Sequence, residues 1–176
     1  MGQAASGGLT QGDVDEVIAA SKGVFNQAEI ESLYKRFRAL DRGHKGYISP
    51  EEFLSIPELS INPVAQRLVR CCECPNFTTF VKMVAPFSPR ASREDKLVFM
   101  FTVYDVDGDG FISREDMSMM LKQLAGSSLS EEDRQDIISR VLEQAGGAER
   151  LDFAAFKSAL SSADLGNMVV EVPVDL

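Results

Sequence analysis

The strongest chemical signal in the sequence is a run of alternating carboxylates. Asp105, Asp107 and Asp109 stand at positions 1, 3 and 5 of a short segment, and Asp116 closes it at position 12. Gly110 at position 6 allows a sharp turn where a side chain would clash. Oxygen atoms at this spacing suit a hard divalent cation, because Ca²⁺ takes about 6–8 oxygen ligands. The segment therefore predicts a metal-binding loop.

The remaining positions complete the pattern of a helix-flanked loop. Phe111 at position 7 needs to offer only its backbone carbonyl, and Ile112 at position 8 can pair with a neighbouring loop. Ser113 at position 9 can hold a water molecule and cap the helix that follows. Together these positions match the 12-residue loop of the EF-hand. The predicted metal ligands are Asp105, Asp107, Asp109, Phe111, Ser113 and Asp116.

Position 12 departs from the usual loop. A glutamate there normally gives both carboxylate oxygens to the ion, whereas the side chain of Asp116 is one methylene shorter. We expect weaker Ca²⁺ binding and competition by Mg²⁺, because Mg²⁺ demands only a near-octahedral ligand set. The alternative interpretations are a solvated acidic turn and a catalytic carboxylate pair. The catalytic interpretation lacks a nearby nucleophile or histidine.

Three further segments occupy equivalent places but lack ligands. In residues 41–52, Gly43 offers no ligand at position 3 and Lys45 puts a cation at position 5. The segment that follows Cys74 is too short for a full loop, and residues 144–155 have no carboxylate at positions 1, 3, 5 or 12. We therefore predict one Ca²⁺ site per chain. The hands that lack metal ligands still have a structural role, because paired EF-hands bury a common hydrophobic core.

Apolar residues at helical spacing flank these loops and predict an all-α fold. A short first helix is expected over 13–22, and Asn26 with Glu29 forms a capping-box pair that starts the next helix. The same pattern of Ser49 with Glu52 starts another. Helix, loop and helix recur at intervals of roughly 32–39 residues, which is typical of an internal repeat. The predicted fold is two pairs of EF-hands.

The predicted organisation has five parts, divided where small, Pro-rich or Ser-rich stretches interrupt the helical pattern. They are a flexible arm with a short helix (1–25), a degenerate N-terminal EF-hand pair (26–88), a linker (89–96), a C-terminal pair with one metal-competent loop (97–166) and a tail (167–176).

Composition excludes several classes of function. The 176 residues carry 18 Lys and Arg against 27 Asp and Glu, a net charge of -9, which disfavours nucleic acid as a partner. Neither a membrane span nor a signal peptide is expected from the apolar pattern. Cys71, Cys72 and Cys74 are expected to be reduced thiols of a cytoplasmic protein. A palmitoylation site is the alternative, and a zinc site lacks a fourth ligand.

Three segments resemble the calcineurin B family of EF-hand proteins. They are Ile56 to Pro63, Lys96 to Asp105 and Asn167 to Val172. The resemblance covers nearly the whole chain and implies a calmodulin-like arrangement of four hands. The tail is similar to that of the calcineurin B regulatory subunit of a Ca²⁺/calmodulin-dependent protein phosphatase. The degenerate first two loops are more similar to the calcineurin B homologous proteins, which bind a helix of sodium/proton exchangers.

The resemblance implies a regulatory or structural subunit without catalytic activity. Both branches of the family hold a long amphipathic helix of a larger protein, a phosphatase catalytic chain or a transporter, in a hydrophobic groove. Residues predicted to line this groove lie on the helix after the metal loop. They are Met117, Met120, Leu121 and Leu124. The helical spacing of Met117 and Met120 equally suits a plain core.

The first six residues match an N-myristoylation signal. Gly2 is the acceptor and Ser6 stands at the hydroxyl position. A single myristoyl chain gives only marginal membrane binding, and no basic patch stands beside it. We therefore expect a cytoplasmic protein that makes weak, reversible contact with membranes.

Overall fold

The structure is a computed structural model that describes residues 8–55, 67 and 74–165. Regular secondary structure in these residues is helical, apart from two isolated antiparallel bridges, and this confirms the all-α prediction. The helices are α1 (Gln11–Ala20), α2 (Gln27–Leu40), α3 (Pro50–Leu54), α4 (Phe77–Val84), α5 (Arg93–Tyr104), α6 (Arg114–Ala125), α7 (Glu131–Gln144) and α8 (Phe153–Ala159). Short 3₁₀ turns at Ala85–Phe87 and Gly126–Ser128 follow α4 and α6.

Side-chain caps set the starts of these helices. Asn26 accepts a hydrogen bond from the Glu29 N–H (3.0 Å), and the Glu29 carboxylate accepts one from the Asn26 N–H (2.7 Å), as predicted. Helix α1 begins before the expected Asp13, because Thr10 and Asp13 form the same reciprocal pair. Capping boxes also start α3, α6 and α7, at Ser49, Ser113 and Ser130.

The described residues form two hydrophobic cores, one in each half of the chain. The N-terminal core contains the buried Ile30 and Val81, and the C-terminal core contains the buried Leu97 and Ile138. Each such side chain stabilises the fold by roughly 1.5–3 kcal/mol when it is fully buried. Val98, in contrast, is an apolar residue of α5 that is exposed.

Backbone pairing at loop positions 7 and 8 joins the loops within each half. Ile112 and Leu151 exchange two hydrogen bonds, of 2.8 and 3.0 Å. Tyr47 and Asn76 form the corresponding bridge in the N-terminal half. The pairing of Ile112 with a neighbouring loop is therefore confirmed, and the fourth loop keeps its structural role without metal ligands.

Charged contacts tie the two halves together around the start of α5. Nε of Arg90 donates a hydrogen bond to the Val24 carbonyl at 2.8 Å. Lys22 forms an ion pair with Asp95 and lowers the pKa of that carboxyl. The last four residues of the expected linker 89–96 already form the first turn of α5.

Several predicted features lie outside the described residues. They are the acceptor Gly2, the family-like segment 56–63, Cys71, Cys72 and the tail 167–176. Among the helices of the described part of the chain, none combines the length and the hydropathy needed to cross a bilayer.

Candidate metal centre

Three carboxylates converge in the loop between α5 and α6. One oxygen from each of Asp105, Asp107 and Asp109 lies within 4.8 Å of the other two. Asp105 is buried at the end of α5, whereas the other two side chains are exposed. Within the described ranges, this is the only group of three or more potential metal-binding His, Cys, Asp or Glu side chains. The structure thus brings together three of the six predicted ligands.

The backbone of the loop curls around the Asp105 carboxylate. Its Oδ1 accepts hydrogen bonds from the N–H groups of Gly108 (2.8 Å) and Asp109 (3.1 Å), and its Oδ2 accepts one from Gly110 (3.0 Å). Gly110 has a φ of 86°, which residues with a Cβ rarely adopt. The turn therefore requires a glycine at position 6.

Asp116 closes the loop instead of joining the carboxylate cluster. Its Oδ1 accepts a hydrogen bond from the Val106 N–H at 3.0 Å. Its Oδ2 accepts from the Ser113 N–H (2.8 Å) and from the Ser113 hydroxyl (2.6 Å). The residue is only 3% exposed. Both carboxylate oxygens are thus engaged in joining the two ends of the loop and in capping α6.

The donor set of this loop fits a hard divalent cation. Carboxylates, the Phe111 carbonyl and the Ser113 hydroxyl all offer oxygen, which Ca²⁺ and Mg²⁺ prefer over nitrogen and sulfur. The like charges of carboxylates this close together repel one another. A bound cation would be held by Asp105, Asp107 and Asp109 and would neutralise that repulsion.

Arg150 lies at the rim of the site, where the sequence pattern did not predict it. Its Nη1 is 3.6 Å from Oδ2 of Asp109, and its guanidinium carbon is 3.7 Å from the centroid of the Phe111 ring. Arg150 and Phe111 each occupy position 7 of their loops, next to the bridged position 8. Aligning the third and fourth loops as a pair places these two residues next to each other, so the sequence could have predicted this contact.

The first loop has the same backbone design but holds a cation of its own. Asp41 accepts hydrogen bonds from the N–H groups of Lys45 (2.9 Å) and Gly46 (2.7 Å). The Lys45 ammonium lies 2.9 Å from Oε2 of Glu52 at position 12. Hydrogen bonds from the Ser49 N–H and from Lys45 lower the pKa of Glu52 to about 2.

Comparison with known proteins identifies both of these loops as parts of EF-hands. The family model described as EF hand domain matches residues 96–124, and a second model described as EF hand matches residues 33–56. The type 2 calcineurin B protein of Dictyostelium discoideum is 37% identical over 158 residues, which are 86% of this chain and 85% of that protein. The chain belongs to the calcineurin B family of EF-hand proteins.

Two further relatives agree with this assignment. The calcineurin B protein of Naegleria gruberi is 38% identical over 161 residues, 87% of this chain and 91% of the relative. The calcineurin B protein of Candida glabrata is 38% identical over 148 residues, 80% of this chain and 85% of the relative. The similarity extends well beyond the metal loop.

This calcineurin B family member also has an apolar groove in its C-terminal half. The groove has a volume of about 200 Å³ and lies between α6, α7 and α8. All four residues predicted from the sequence line it, namely Met117, Met120, Leu121 and Leu124. We call it the C-terminal groove. A second, larger groove has a volume of about 390 Å³ and is lined by residues of both halves, among them Val24 and the α5 residue Val98. We call it the interlobe groove.

The residues of the C-terminal groove differ in depth. Met117 and Met120 are buried and form its floor. Leu124 is 46% exposed, and the α7 residues Ile137 and Val141 are also exposed at the rim. Met117 and Met120 therefore belong to the core and also line the groove, whereas Leu124 lies at the surface.

Proposed function

We propose that this chain is a Ca²⁺-binding regulatory subunit of a protein phosphatase and that it holds an amphipathic helix of the catalytic chain. The observation that carries the proposal is an apolar groove with an exposed rim in the same lobe as a loop that fits Ca²⁺. The names of the relatives, which describe them as calcineurin subunits of the B type, support it. The chain has no catalytic activity of its own and acts by stabilising and regulating its partner.

The rim of the C-terminal groove suits the apolar face of a helix. Leu124, Ile137 and Val141 expose apolar surface around the groove, and clustered apolar surface of this kind marks interaction sites. An amphipathic helix would present apolar residues at every third or fourth position to such a groove. Because the chain has a net charge of -9, we expect basic residues beside the apolar face of the partner helix.

One ion per chain is part of the proposal. Asp105, Asp107 and Asp109 would supply carboxylate oxygens, and Phe111, Ser113 and Asp116 would complete the set directly or through water. Mg²⁺ would compete at this site, since Asp116 is short and is already bonded within the loop.

The internal cation of the first loop favours a second candidate, a constitutive structural light chain of an ion exchanger or larger assembly. Lys45 bonds Glu52 where a metal ion would otherwise neutralise it, so the closure of this loop needs no Ca²⁺. A sensor exposes apolar surface when Ca²⁺ binds, whereas a light chain does not respond. Fluorescence of a hydrophobic dye with Ca²⁺ and with a chelator separates these two candidates.

Cellular location also belongs to the proposal. Gly2 would carry a myristoyl chain in the cytoplasm, and one such chain supports only reversible membrane contact. Mass spectrometry of the intact protein from its own cells would detect the added acyl group. An unmodified N-terminal glycine would contradict this part.

The test of the main proposal is affinity purification of the full chain from its own cells, with Ca²⁺ and with a chelator. We would compare wild type with Leu124→Glu, which puts a charge on the rim, and with the control Val98→Glu in the interlobe groove. We expect a phosphatase catalytic chain to co-purify with wild type and with Val98→Glu but not with Leu124→Glu. Recovery of a transporter, equally with and without Ca²⁺, would support the light-chain candidate instead.

The metal site is tested separately by calorimetry. Asp105→Ala removes the buried carboxylate that organises the loop, and we expect it to abolish Ca²⁺ binding. Unchanged binding would show that the ion site has been assigned to the wrong loop.

A further inference from the structure

Arg67 connects the N-terminal half of the chain to the first residues of the metal loop. Its Nη2 donates hydrogen bonds to the carbonyls of Asp105 and Val106, each at 2.7 Å, and its Nε donates to the Val103 carbonyl at 3.3 Å. These partners lie 36 to 39 residues away in the sequence. The contact is therefore a tertiary one between the two halves.

The carbonyls that Arg67 contacts lie at and just after the C-terminal end of α5. The Val103 carbonyl lies in the last turn of α5, the Asp105 carbonyl is at its C-cap, and the Val106 carbonyl follows in the loop. Carbonyls at the C-terminal end of a helix have no hydrogen-bond donor within it and lie at the negative end of the helix dipole. The planar guanidinium can bond several acceptors at once in a fixed geometry. Arg67 is half-buried, so these bonds are partly shielded from competing water.

The same two loop residues carry groups that build the ion site. The Asp105 carboxylate belongs to the carboxylate cluster. The Val106 N–H donates to Oδ1 of Asp116 at 3.0 Å. A continuous path thus runs from the Arg67 guanidinium through the backbone of positions 1 and 2 to the side chain at position 12.

We propose that Arg67 is a positioning residue of the metal centre, which holds Asp105 and Val106 in the ion-binding arrangement and couples ion binding to the N-terminal half. The inference rests on the proposed Ca²⁺ site. Its charge also repels a cation, but that repulsion is weakened because Asp107 and Asp109 expose the ion site to water, which raises the effective dielectric constant. The ordering of the loop backbone therefore dominates, and Arg67 strengthens ion binding.

Coupling of this kind is reciprocal. If the contact of Arg67 with the loop raises the affinity for the ion, ion binding strengthens that contact by the same factor. Ca²⁺ should therefore increase the protection of amides in the N-terminal core, such as those of Phe80 and Val81, against hydrogen exchange.

The experiment compares full-length wild type, Arg67→Ala, Arg67→Lys and the control Arg36→Ala by calorimetry with Ca²⁺. Arg36 is exposed on α2, so its substitution removes the same charge without touching the loop. We expect Arg67→Ala to weaken binding about fivefold or more, which is the lower end of typical coupling between sites. The Ca²⁺ affinity of Arg67→Lys should lie between those of Arg67→Ala and wild type, because an ammonium keeps the charge but cannot bond several carbonyls in the fixed geometry of a guanidinium. Equal or tighter binding by Arg67→Ala would overturn the proposal.

Two spectroscopic measurements separate positioning from a general loss of fold. The Gly110 amide, which donates to Asp105, should still shift in NMR spectra of Arg67→Ala at saturating Ca²⁺. The increase in hydrogen-exchange protection of Phe80 and Val81 should disappear in this variant. Its persistence at the wild-type level would contradict the coupling.

Failure of the metal site is distinguishable from failure of this inference. If wild type itself gives no binding heat and no Gly110 shift, the Ca²⁺ site is wrong and the coupling falls with it. If wild type binds but Arg67→Ala is unfolded by circular dichroism, Arg67→Lys decides, and wild-type affinity in that variant would overturn the role of Arg67.

Discussion

The Lys45 ammonium lies 2.9 Å from the Glu52 carboxylate and so joins positions 5 and 12 of the first loop. In the metal loop the same two positions hold Asp109 and Asp116. An EF-hand normally uses both of these positions to supply oxygen ligands to the ion. The two loops therefore meet the same need for positive charge differently, one with a tethered ammonium and the other with a site that fits a free cation.

Replacing Lys45 by Met should destabilise the N-terminal half at neutral pH. The native pKa of Glu52 is lowered from 4.5 to about 2, and Lys45 is one of the causes. A lowered carboxyl pKa stabilises the fold above the unfolded value, and this stabilisation is lost as the pH falls from 4.5 towards 2. Lys45→Met should weaken that pH dependence. Thermal melts from pH 7 to pH 2 would measure it.

The control for this change is Lys35→Met, which removes a lysine from the exposed side of α2. It should leave the acid sensitivity of the wild type in place. If Lys35→Met and Lys45→Met melt alike at every pH, the ammonium does not stabilise the first loop.

The first loop should accept Ca²⁺ when its two defective positions are repaired. It already has Asp41 at position 1, Glu52 at position 12 and a glycine at position 6 with a φ of 83°. The double variant Gly43→Asp/Lys45→Asp supplies the missing carboxylates. A Cβ at residue 43 would meet the Lys45 side chain at 3.3 Å, and the second substitution removes that contact. Calorimetry should give two ions per chain in place of one.

A matched control for the repaired loop is Lys45→Ala alone. It removes the cation but adds no ligand, so the stoichiometry should stay at one ion. A double variant that still binds one ion would mean that the pairing of the loops, rather than the ligand set, prevents binding in the N-terminal half.

The local spacing of residues in the sequence predicted most of the helices and the metal loop. It did not predict contacts between residues that are far apart in the sequence. Asn26 with Glu29 marks a helix start because both partners lie within one turn. The sequence showed a cation at Lys45, but its ion pair with Glu52 forms only because the folded loop brings positions 5 and 12 together. Arg67 meets Asp105 across 38 residues, and no periodic pattern encodes such a contact. Site residues supplied by another element were therefore missed.

The C-terminal groove should separate stability from partner binding at two positions. Met120 is 1% exposed, so Met120→Ala should cost about 2–5 kcal/mol of stability through the lost packing. Leu124 is exposed, and Leu124→Ala should change the stability by no more than about 0.5 kcal/mol. Urea denaturation would measure both, and capture of the partner should weaken in Leu124→Ala. Equal destabilisation by the two variants would mean that Leu124 belongs to the core.

Lengthening the side chain at position 12 should strengthen Ca²⁺ binding selectively. Asp116→Glu adds one methylene and keeps the capping box, because glutamate is a favoured partner for a serine cap three residues earlier. The longer carboxylate can reach the ion while Ser113 still caps α6. We expect the Kd for Ca²⁺ to fall towards the range of about 10⁻⁷–10⁻⁵ M that sensors use. Mg²⁺ affinity should change less, since Mg²⁺ retains more of its water.

Calorimetric titration with each metal tests this expectation, and Glu115→Asp is the control. Glu115 is exposed in the first turn of α6, so its substitution changes carboxylate length by the same methylene one residue away. The control should bind both metals as wild type does. If Asp116→Glu leaves the ratio of Ca²⁺ to Mg²⁺ affinity unchanged, the length of the side chain at position 12 does not set metal preference. The hydrogen bonds of Asp116 to Val106 and Ser113 would then be its main contribution to the loop.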